Sequence, residues 1–533
     1  MATRDGHPRG AAANAHPHVC NDGSIAVVHN GIIENHKDIR TFLENNGYKL
    51  KTNTDTEVIP NLIHYFYSKT GSLRDAVVDA VRQLKGSYAI VVLAEQGNRL
   101  YAARKSSPMV VASDGKGAAV ASDISALPEG CNKAIYPDDD EIVEIEGSDI
   151  RIYDLNILPV DKQAQDINIS NEEFSKQGFP HFMLKEIHES VDAIKNSMAG
   201  RVKPERDTVK LGGLKDVAER LKTVDRLLIV ACGTSYYAGM TGKYFIEEHC
   251  RIPVEVRLAS EFRYHDEPLD GRTAILAISQ SGETADTLEA VKLAKQKKLL
   301  TLGLVNVVGS SIARETDAGV YTHAGPEIGV ASTKAFVCQV VCLYMIGMYI
   351  SGVRSREIIE ALLRIPDLMS EALAEHKAVK RMAEQISTYK NTVFIGRKYM
   401  YPLSLEAALK LKEVSYIHAE GYSAGELKHG PLALIDNNFA TIALAPYNDV
   451  YDKTASNLQE VHARKGPVFA FGSDRLSDVS DISKCLIKVP GIQDYVQPFA
   501  TSIYVQLLAY YAGTKLGYDV DKPRNLAKSV TVE

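Results

Sequence analysis

The chain has 533 residues, 45% hydrophobic and 24% charged, with a net charge of −6. That length exceeds a single core and predicts three to four domains at roughly 150 residues each, while the acidic balance without a basic cluster argues against nucleic acid as a partner. Seven cysteines with no CxxC pair leave one over in any disulfide scheme, so a reducing compartment is expected.

In chain order, the opening residues are polar and rich in Gly, His and Ala, without the apolar stretch of a signal peptide, and a cytoplasmic location is expected. Residues 1–160 contain strand-like runs bounded by turn residues: "IAVVHNG", "YAIVVLAE", "RLYAARK", "PMVVASD" and "EIVEIEG". Helical patterns at "HKDIRTFLENNG" and "TEVIPNLIHYFYSKTG" separate them, which predicts an α+β domain with mainly antiparallel sheets. The polar segment 161–181 breaks the pattern and is expected to be a linker.

Beyond it, short continuous apolar runs alternate with helices: "RLLIVACGTS", "PVEVRLAS", "AILAISQSGET", "LTLGLVNV" and "GVYTHAG". This is the pattern of a parallel, doubly wound sheet. It restarts after a helical stretch with "NTVFIGRK", "FATIALAP", "PVFAFGSD" and "CLIKVP", an internal duplication of structural type. The apolar run Ala335–Gly352 is shorter than the ~20 residues a span needs and includes Gln339, so a buried helix is expected and no membrane.

Two turns are unusually rich in hydroxyls. "SQSGET" brings Ser279, Gln280, Ser281 and Thr284 to the end of a strand, with Gly282 allowing close backbone approach, and "CGTS" repeats the device with Thr234 and Ser235. "GVASTKAF" places Ser332 at a third helix start. Helix N-termini beyond parallel strands favour anions, and the absence of the P-loop lysine points to a phosphomonoester rather than a nucleotide. Ordinary helix capping by Ser and Thr explains each turn equally well taken alone.

Those turns, with "EIGVASTKAF", "ALKLKEVSYIHAEGYSAGELKHGP" and "DKPRNLAKSVTVE", resemble the isomerase half of the glutamine–fructose-6-phosphate aminotransferases. That half is a pair of flavodoxin-like sugar-isomerase (SIS) domains. Upstream, "NAHPH", "VVHNGIIENH" and "TDTEV" resemble the class II, N-terminal-nucleophile glutaminase domain of the same family. The expected layout is an incomplete glutaminase domain (1–160), the linker (161–181), a first SIS domain (182–365), a second (366–523) and a catalytic tail (524–533).

The resemblance implies that Thr234, Ser235, Ser279, Gln280, Ser281, Thr284, Val330, Ser332 and Ala527 bind the sugar phosphate. On pattern alone, Lys410 and Glu413, three apart on a helix, form a solvated pair. The resemblance reverses that, making Glu413 the proton shuttle and Lys410 its assistant. It implies that His429 opens the sugar ring from the partner subunit of a homodimer, and that Lys528 is the Schiff-base lysine. Burial or a nearby cation is expected to keep the Lys528 amine available. Arg524 and Glu327 are weaker candidates, for holding the tail and lining the pocket.

The implied reaction makes glucosamine 6-phosphate and glutamate from fructose 6-phosphate and L-glutamine, or uses ammonia directly, without cofactor or metal. The alternative is a glutamine-independent isomerase or deglycase of the SIS family, and a non-catalytic sugar-phosphate sensor is a third possibility. An acid–base set argues against the sensor, and the glutaminase motifs argue against the isomerase. In the glutaminase half, Asn30 and Gly31 match oxyanion-hole donors and Asp55 the glutamine-amine ligand. The family's opening Cys-Gly-Ile has no counterpart in "MATRDGHPRG", and Thr3-Arg4 is the one match to its Arg-Trp-Ala-Thr-His-Gly segment. A truncated domain that does not hydrolyse glutamine and leaves strand edges unpaired is therefore expected, with Cys20 a structural thiol.

Overall fold

The computed structural model describes residues 14–94, 98–122, 126–128, 130–167, 175–473, 477–490 and 492–530. Thr3 and Arg4 lie outside them. Two compact units emerge, the first essentially residues 1–175 and the second essentially 176–529.

The first unit is α+β. Its larger sheet runs in the order His18–Val19, Ile25–Ile33, Gly86–Ala94, Arg99–Lys105, Ile142–Glu146, Asp149–Tyr153, with antiparallel neighbours throughout. Alternation along Ile25–Ile33 is strict, every second residue being buried, so one face packs on the helices Val58–Thr70 and Leu73–Gln83. That strand is paired over its whole length with Gly86–Ala94. On its other side, among the described residues, pairing is confined to Ala26 and Val27. A smaller antiparallel sheet has the order Gln165–Asp166, Lys133–Ile135, Val110–Ser113, Ala118–Ala121, so pairing continues into the polar segment expected as linker.

The second unit holds two five-stranded sheets. The first comprises β1 (Arg226–Ala231), β2 (Val254–Leu258), β3 (Thr273–Ser279), β4 (Leu300–Val305) and β5 (Ala318–Tyr321), ordered β2-β1-β3-β4-β5 and wholly parallel. The second comprises β6 (Asn391–Gly396), β7 (His418–Ser423), β8 (Phe439–Ala445), β9 (Val468–Gly472) and β10 (Ser483–Lys488), ordered β7-β6-β8-β9-β10 and also parallel. The duplication expected from sequence is thus one of topology, in the flavodoxin-like order. β3 is buried at every position, which is why its sequence is a continuous apolar run.

Seven helices of this unit frame its sheets and the site: α1 (Phe182–Met198), α2 (Gly233–Phe245), α3 (Ala285–Gln296), α4 (Lys334–Ser351), α5 (Arg356–Ala374), α6 (Met400–Ser415) and α7 (Gln497–Lys515). The membrane-like run becomes α4, a helix long and apolar enough to cross a membrane by composition, but buried here from Lys334 to Met348. Inside, Gln339 donates to Ser235 Oγ at 3.0 Å and Lys334 pairs with Glu189 at 2.7 Å. Such partners are what a buried polar group requires. α6 packs on α7 and on α2, so one helix of the second repeat lies against one of the first. α5 is continuous through Ile365 and Pro366.

Gly282 holds the turn after β3 at φ +67°, and a Cβ there would lie 2.0 Å from Ser310 Oγ. Gly282→Ala combines left-handed strain with overlap, and should destabilise the second unit by about 1–3 kcal/mol. The check is a lowered midpoint of that unit's melting transition, with the transition of residues 1–175 unmoved.

Candidate active site

In an open parallel sheet whose strand order reverses, ligands bind beyond the carboxyl ends of the strands flanking the reversal. Here those strands are β1 and β3. After β1 the chain turns through Cys232 and Gly233, at φ +53°, into α2; after β3 it turns through Ser279–Thr284 into α3. The Gly282 N–H donates to Ser279 Oγ at 3.0 Å, closing the second turn, and the Gly282 carbonyl accepts from Ile312 N–H at 3.0 Å. Ser235 is buried against Gln339. Both hydroxyl turns therefore lie at the switch point, as the sequence suggests.

The acid–base helix is α6. Lys410 is 1% exposed, its ammonium 2.7 Å from Glu413 Oε2 and 3.5 Å from Glu406 Oε1. The solvated pair that spacing alone suggests is thus a buried one. Glu406 is a participant that sequence reasoning missed. It sits one turn before Lys410, and Thr234 Oγ1 donates to its Oε1 at 3.2 Å, linking the first hydroxyl turn to the acid–base helix. Its Oε2 is buried without a hydrogen-bond partner. Burial pushes its carboxyl up to about 8 in spite of Lys410. Burial opposes the charge on Lys410, but Glu406 and Glu413 together raise it above the ordinary lysine value. The available signal was the Glu406-Lys410-Glu413 spacing, i to i+4 to i+7 on one helix face.

The C-terminal tail brings Lys528 to Glu327. The Lys528 ammonium donates to Glu327 Oε2 at 2.7 Å and to the Gly329 carbonyl at 2.8 Å. Glu327 is wholly buried and caps α4, accepting from the Thr333 and Ala335 N–H groups at 2.8 and 3.1 Å and from Ser332 Oγ at 2.9 Å. Burial would raise its carboxyl, yet Lys528 and these donors bring it down to about 2. Glu327 is the direct partner of Lys528, because an anion at a helix N-terminus is the natural seat for an ammonium's counter-charge. One expectation is corrected. The charge beside Lys528 is a carboxylate and not a cation, and its side chain keeps a quarter of its exposure.

Arg524 stacks 4.2 Å over the Tyr416 ring at the end of α6, and its N–H donates to Tyr416 Oη at 2.8 Å, fixing the tail's entry. The Val330 N–H donates to the Asp521 carbonyl at 3.1 Å; Ala527 is partly buried. His429 is exposed at the end of the short 3₁₀ segment Ala424–His429, outside the Lys410 and Lys528 clusters. Among the described residues no group of His, Cys, Asp or Glu has metal-holding geometry.

In the first unit, Asn30 and Gly31 lie in the long strand, Gly31 at φ +144° with its Cα against the Ser87 carbonyl. Asp55 is buried and accepts the Ile33 N–H at 2.7 Å, two residues past Gly31. Asp55 is thus held against the strand that carries Asn30 and Gly31. Cys20 is 2% exposed, its Sγ donates to Asp22 at 3.0 Å, and burial followed by Asp22 raises the thiol, as for a structural cysteine.

A glutamine amidotransferase domain model matches residues 7–129, and the SIS domain model matches residues 220–349 and 385–515. The chain is 44% identical over 98% of its length to 86% of the glutamine–fructose-6-phosphate aminotransferase (isomerizing) of Chlorobaculum tepidum. It is also 44% identical over 99% of its length to 87% of that of Aquifex aeolicus. The chain belongs to the glutamine–fructose-6-phosphate aminotransferase (isomerizing) family. The family assignment favours the aminotransferase over a glutamine-independent isomerase. Among solved structures, the C-terminal domain of glucosamine-fructose-6-phosphate aminotransferase from Francisella tularensis matches with TM-score 0.63 and 40% identity, covering 65% of this chain and 100% of that one. Tagatose-6-phosphate ketose/aldose isomerase from Escherichia coli, at 16% identity and TM-score 0.54 over 66% of this chain and 97% of that one, shows the fold alone.

The raised Glu406 carboxyl has a pH consequence with a definite sign. A carboxyl with a higher value folded than unfolded contributes stability that is complete below its unfolded value near 4.5 and lost as pH rises through about 8. Glu406→Gln abolishes that loss. The melting temperature of the variant minus that of the parent should therefore climb steadily between pH 5 and 8; a flat difference would place an ionised Glu406 in the fold at all these values.

Proposed function

We propose that this chain aminates and isomerises fructose 6-phosphate to glucosamine 6-phosphate, with L-glutamine or ammonia as nitrogen source, in a homodimer working in the cytoplasm. The supporting observation is the docking of the tail: a lysine near the end of the sequence is seated on a buried, helix-capping carboxylate in the unit that bears both hydroxyl turns. On this reading residues 1–160 form the glutaminase-type domain, 161–181 the linker, 182–365 and 366–523 the SIS domains and 524–533 the catalytic tail.

The roles follow the chemistry. Thr234, Ser235, Ser279, Gln280, Ser281 and Thr284 take the phosphate through hydroxyls, the Gln280 amide and helix N–H groups, while Val330, Ser332 and Ala527 line the sugar. His429, from the partner subunit, opens the ring. The Lys528 amine adds to the C2 carbonyl and water leaves, ammonia then displaces the lysine, and Glu413 carries a proton from C1 to C2 with Lys410 beside it. The Lys410 ammonium lies 2.7 Å from Glu413 and 3.5 Å from Glu406, and is raised above the ordinary lysine value, so it resists taking part as a nucleophile. Asn30, Gly31 and Asp55 are the residues of the first unit suited to glutamine. All seven cysteines are free thiols, in keeping with a reducing compartment.

The trans placement of His429 has a direct test. Lys528→Ala should lose sugar conversion and borohydride labelling with fructose 6-phosphate while keeping its fold, and His429→Ala should lose conversion. Mixing the two under subunit exchange should restore about a quarter of parental activity, because half the dimers are mixed and each has one intact site. No recovery would mean that both residues act within one subunit, and labelling of Lys528→Ala would place the imine on another lysine.

Cys20 gives a second check. Because its thiol is buried and engaged, Cys20→Ser should leave glutamate release from glutamine at the parental level, whatever that level is. A loss of release in a normally folded variant would make Cys20 the nucleophile.

A further inference from the structure

Glu186 is a carboxyl with no place in the chemistry proposed for the sugar. It lies on the second turn of α1 and is 1% exposed. Its Oε1 accepts two consecutive backbone N–H groups, Ile328 at 2.5 Å and Gly329 at 3.0 Å, while its Oε2 is buried without any partner. A Cβ at Gly329 would stand 2.9 Å from Glu186 Oε2, so the carboxyl would have to shift to admit it. The same short turn serves Lys528, through the Glu327 carboxylate and the Gly329 carbonyl. Asp521 anchors the start of α1 by accepting the Phe182 and Met183 N–H groups, each at 2.9 Å, so Glu186 is presented from a fixed helix end.

We propose that Glu186 is a positioning residue for Lys528: by gripping the Ile328 and Gly329 N–H groups it fixes the turn whose carboxylate and carbonyl receive the Lys528 amine. This deepens the reading of Lys528 as the imine-forming residue and rests on it. The grip is exercised by the neutral acid. A charge on Glu186 would sit in a buried site beside the Glu327 anion with one oxygen unserved, and burial followed by Glu327 pushes the carboxyl up to about 7. The charged groups bearing on it are Glu327 on the turn and Lys528 on the tail. Lys185 and Glu189 on α1 pair with each other and Glu189 with Lys334 at the start of α4, and Asp521 is paired with Lys176. Above neutrality Glu186 would become a second buried carboxylate beside the Glu327 anion, and their repulsion would loosen the turn that seats Lys528.

The experiment measures the rate of borohydride trapping of fructose 6-phosphate on the full-length chain between pH 5.5 and 8.5, alongside KM and kcat for conversion in ammonia. Glu186→Ala should trap about tenfold more slowly or worse, since misplacement of a reacting group by about 1 Å has that scale of effect, with KM held within about twofold. Glu186→Gln keeps the Oε1 acceptor and cannot ionise. It should approach the parental rate at pH 6, and its rate relative to the parent should rise as pH passes about 7. Gly329→Ala should reproduce the slow trapping and add little to Glu186→Ala, and it carries the test with Glu186→Gln if Glu186→Ala does not fold. Parental trapping by Glu186→Ala or Gly329→Ala, or a Glu186→Gln profile parallel to the parent's, would overturn the proposal. Absence of label on Lys528 in the parent would instead remove the reading beneath it, and the inference with it.

Discussion

A buried carboxylate is tolerable only while its lone pairs are occupied and its charge is balanced, and Glu327 imposes that condition on the second unit. Four donors come from Ser332, Thr333 and Ala335 around the start of α4, and the fifth is the Lys528 ammonium. Removing one partner of a fully buried pair costs about 3–5 kcal/mol, because the other is left charged in a poor solvent, and the partial exposure of Lys528 lowers that cost here. The constraint explains why a C-terminal segment with no strand and no helix is held in one place. It also explains why polar residues cluster where α4 begins, although the rest of that helix is among the most apolar stretches in the chain.

The same condition ties together elements distant in sequence. Glu327 belongs to the segment after β5, Lys528 to the tail and Glu186 to α1, yet all three meet over residues 327–329. α6 makes a parallel connection through Lys410, whose two carboxyl neighbours lie on its own helix and one of which accepts from Thr234 at the start of α2. The hydroxyl turns would be ordinary helix caps in isolation. Glu406 places one of them beside the acid–base helix, which capping does not require.

Much of this was legible in the sequence. Parallel strands buried on both faces show as continuous apolar runs, so β1, β3, β4, β6, β8 and β9 stand out, and Gly-bounded hydroxyl turns mark where two of them end. The strands Ala118–Ala121, Lys133–Ile135 and Asp149–Tyr153 are three to five residues long, too short to stand out from turns, whereas the helix Leu73–Gln83 carries a helical period in Leu73, Ala76, Val77, Ala80 and Val81. The burial of charge was not legible either. Glu186, Glu406 and Lys410 sit in helices at spacings that describe a solvated face equally well, and only tertiary packing makes them buried. Lys528 was found through resemblance, since a lysine near a terminus carries no local signal. That its partner is an anion depends on the turn at Glu327, about two hundred residues away in sequence.

The two sheets share one strand order and yet carry different residues at their switch points. At the switch point of the first, the turns after β1 and β3 carry hydroxyls and glycines at positive φ. The corresponding turn after β6 reads Arg397-Lys398-Tyr399, and both cations are already engaged: Arg397 donates to Asn457 at 2.8 Å, and Lys398 pairs with Asp494 at 2.9 Å and Asp449 at 3.3 Å. The turn after β8 supplies Asp449 itself, a charge that repels phosphate. Both cations of the turn after β6 are thus held by partners within their own repeat. The second repeat also supplies α6, which bears Glu406, Lys410 and Glu413 and meets α2 through the Thr234–Glu406 hydrogen bond. On the proposed reading, duplicating a sheet supplies two switch points, of which the hydroxyl turns of the first seat the sugar phosphate while the helix of the second carries the protons.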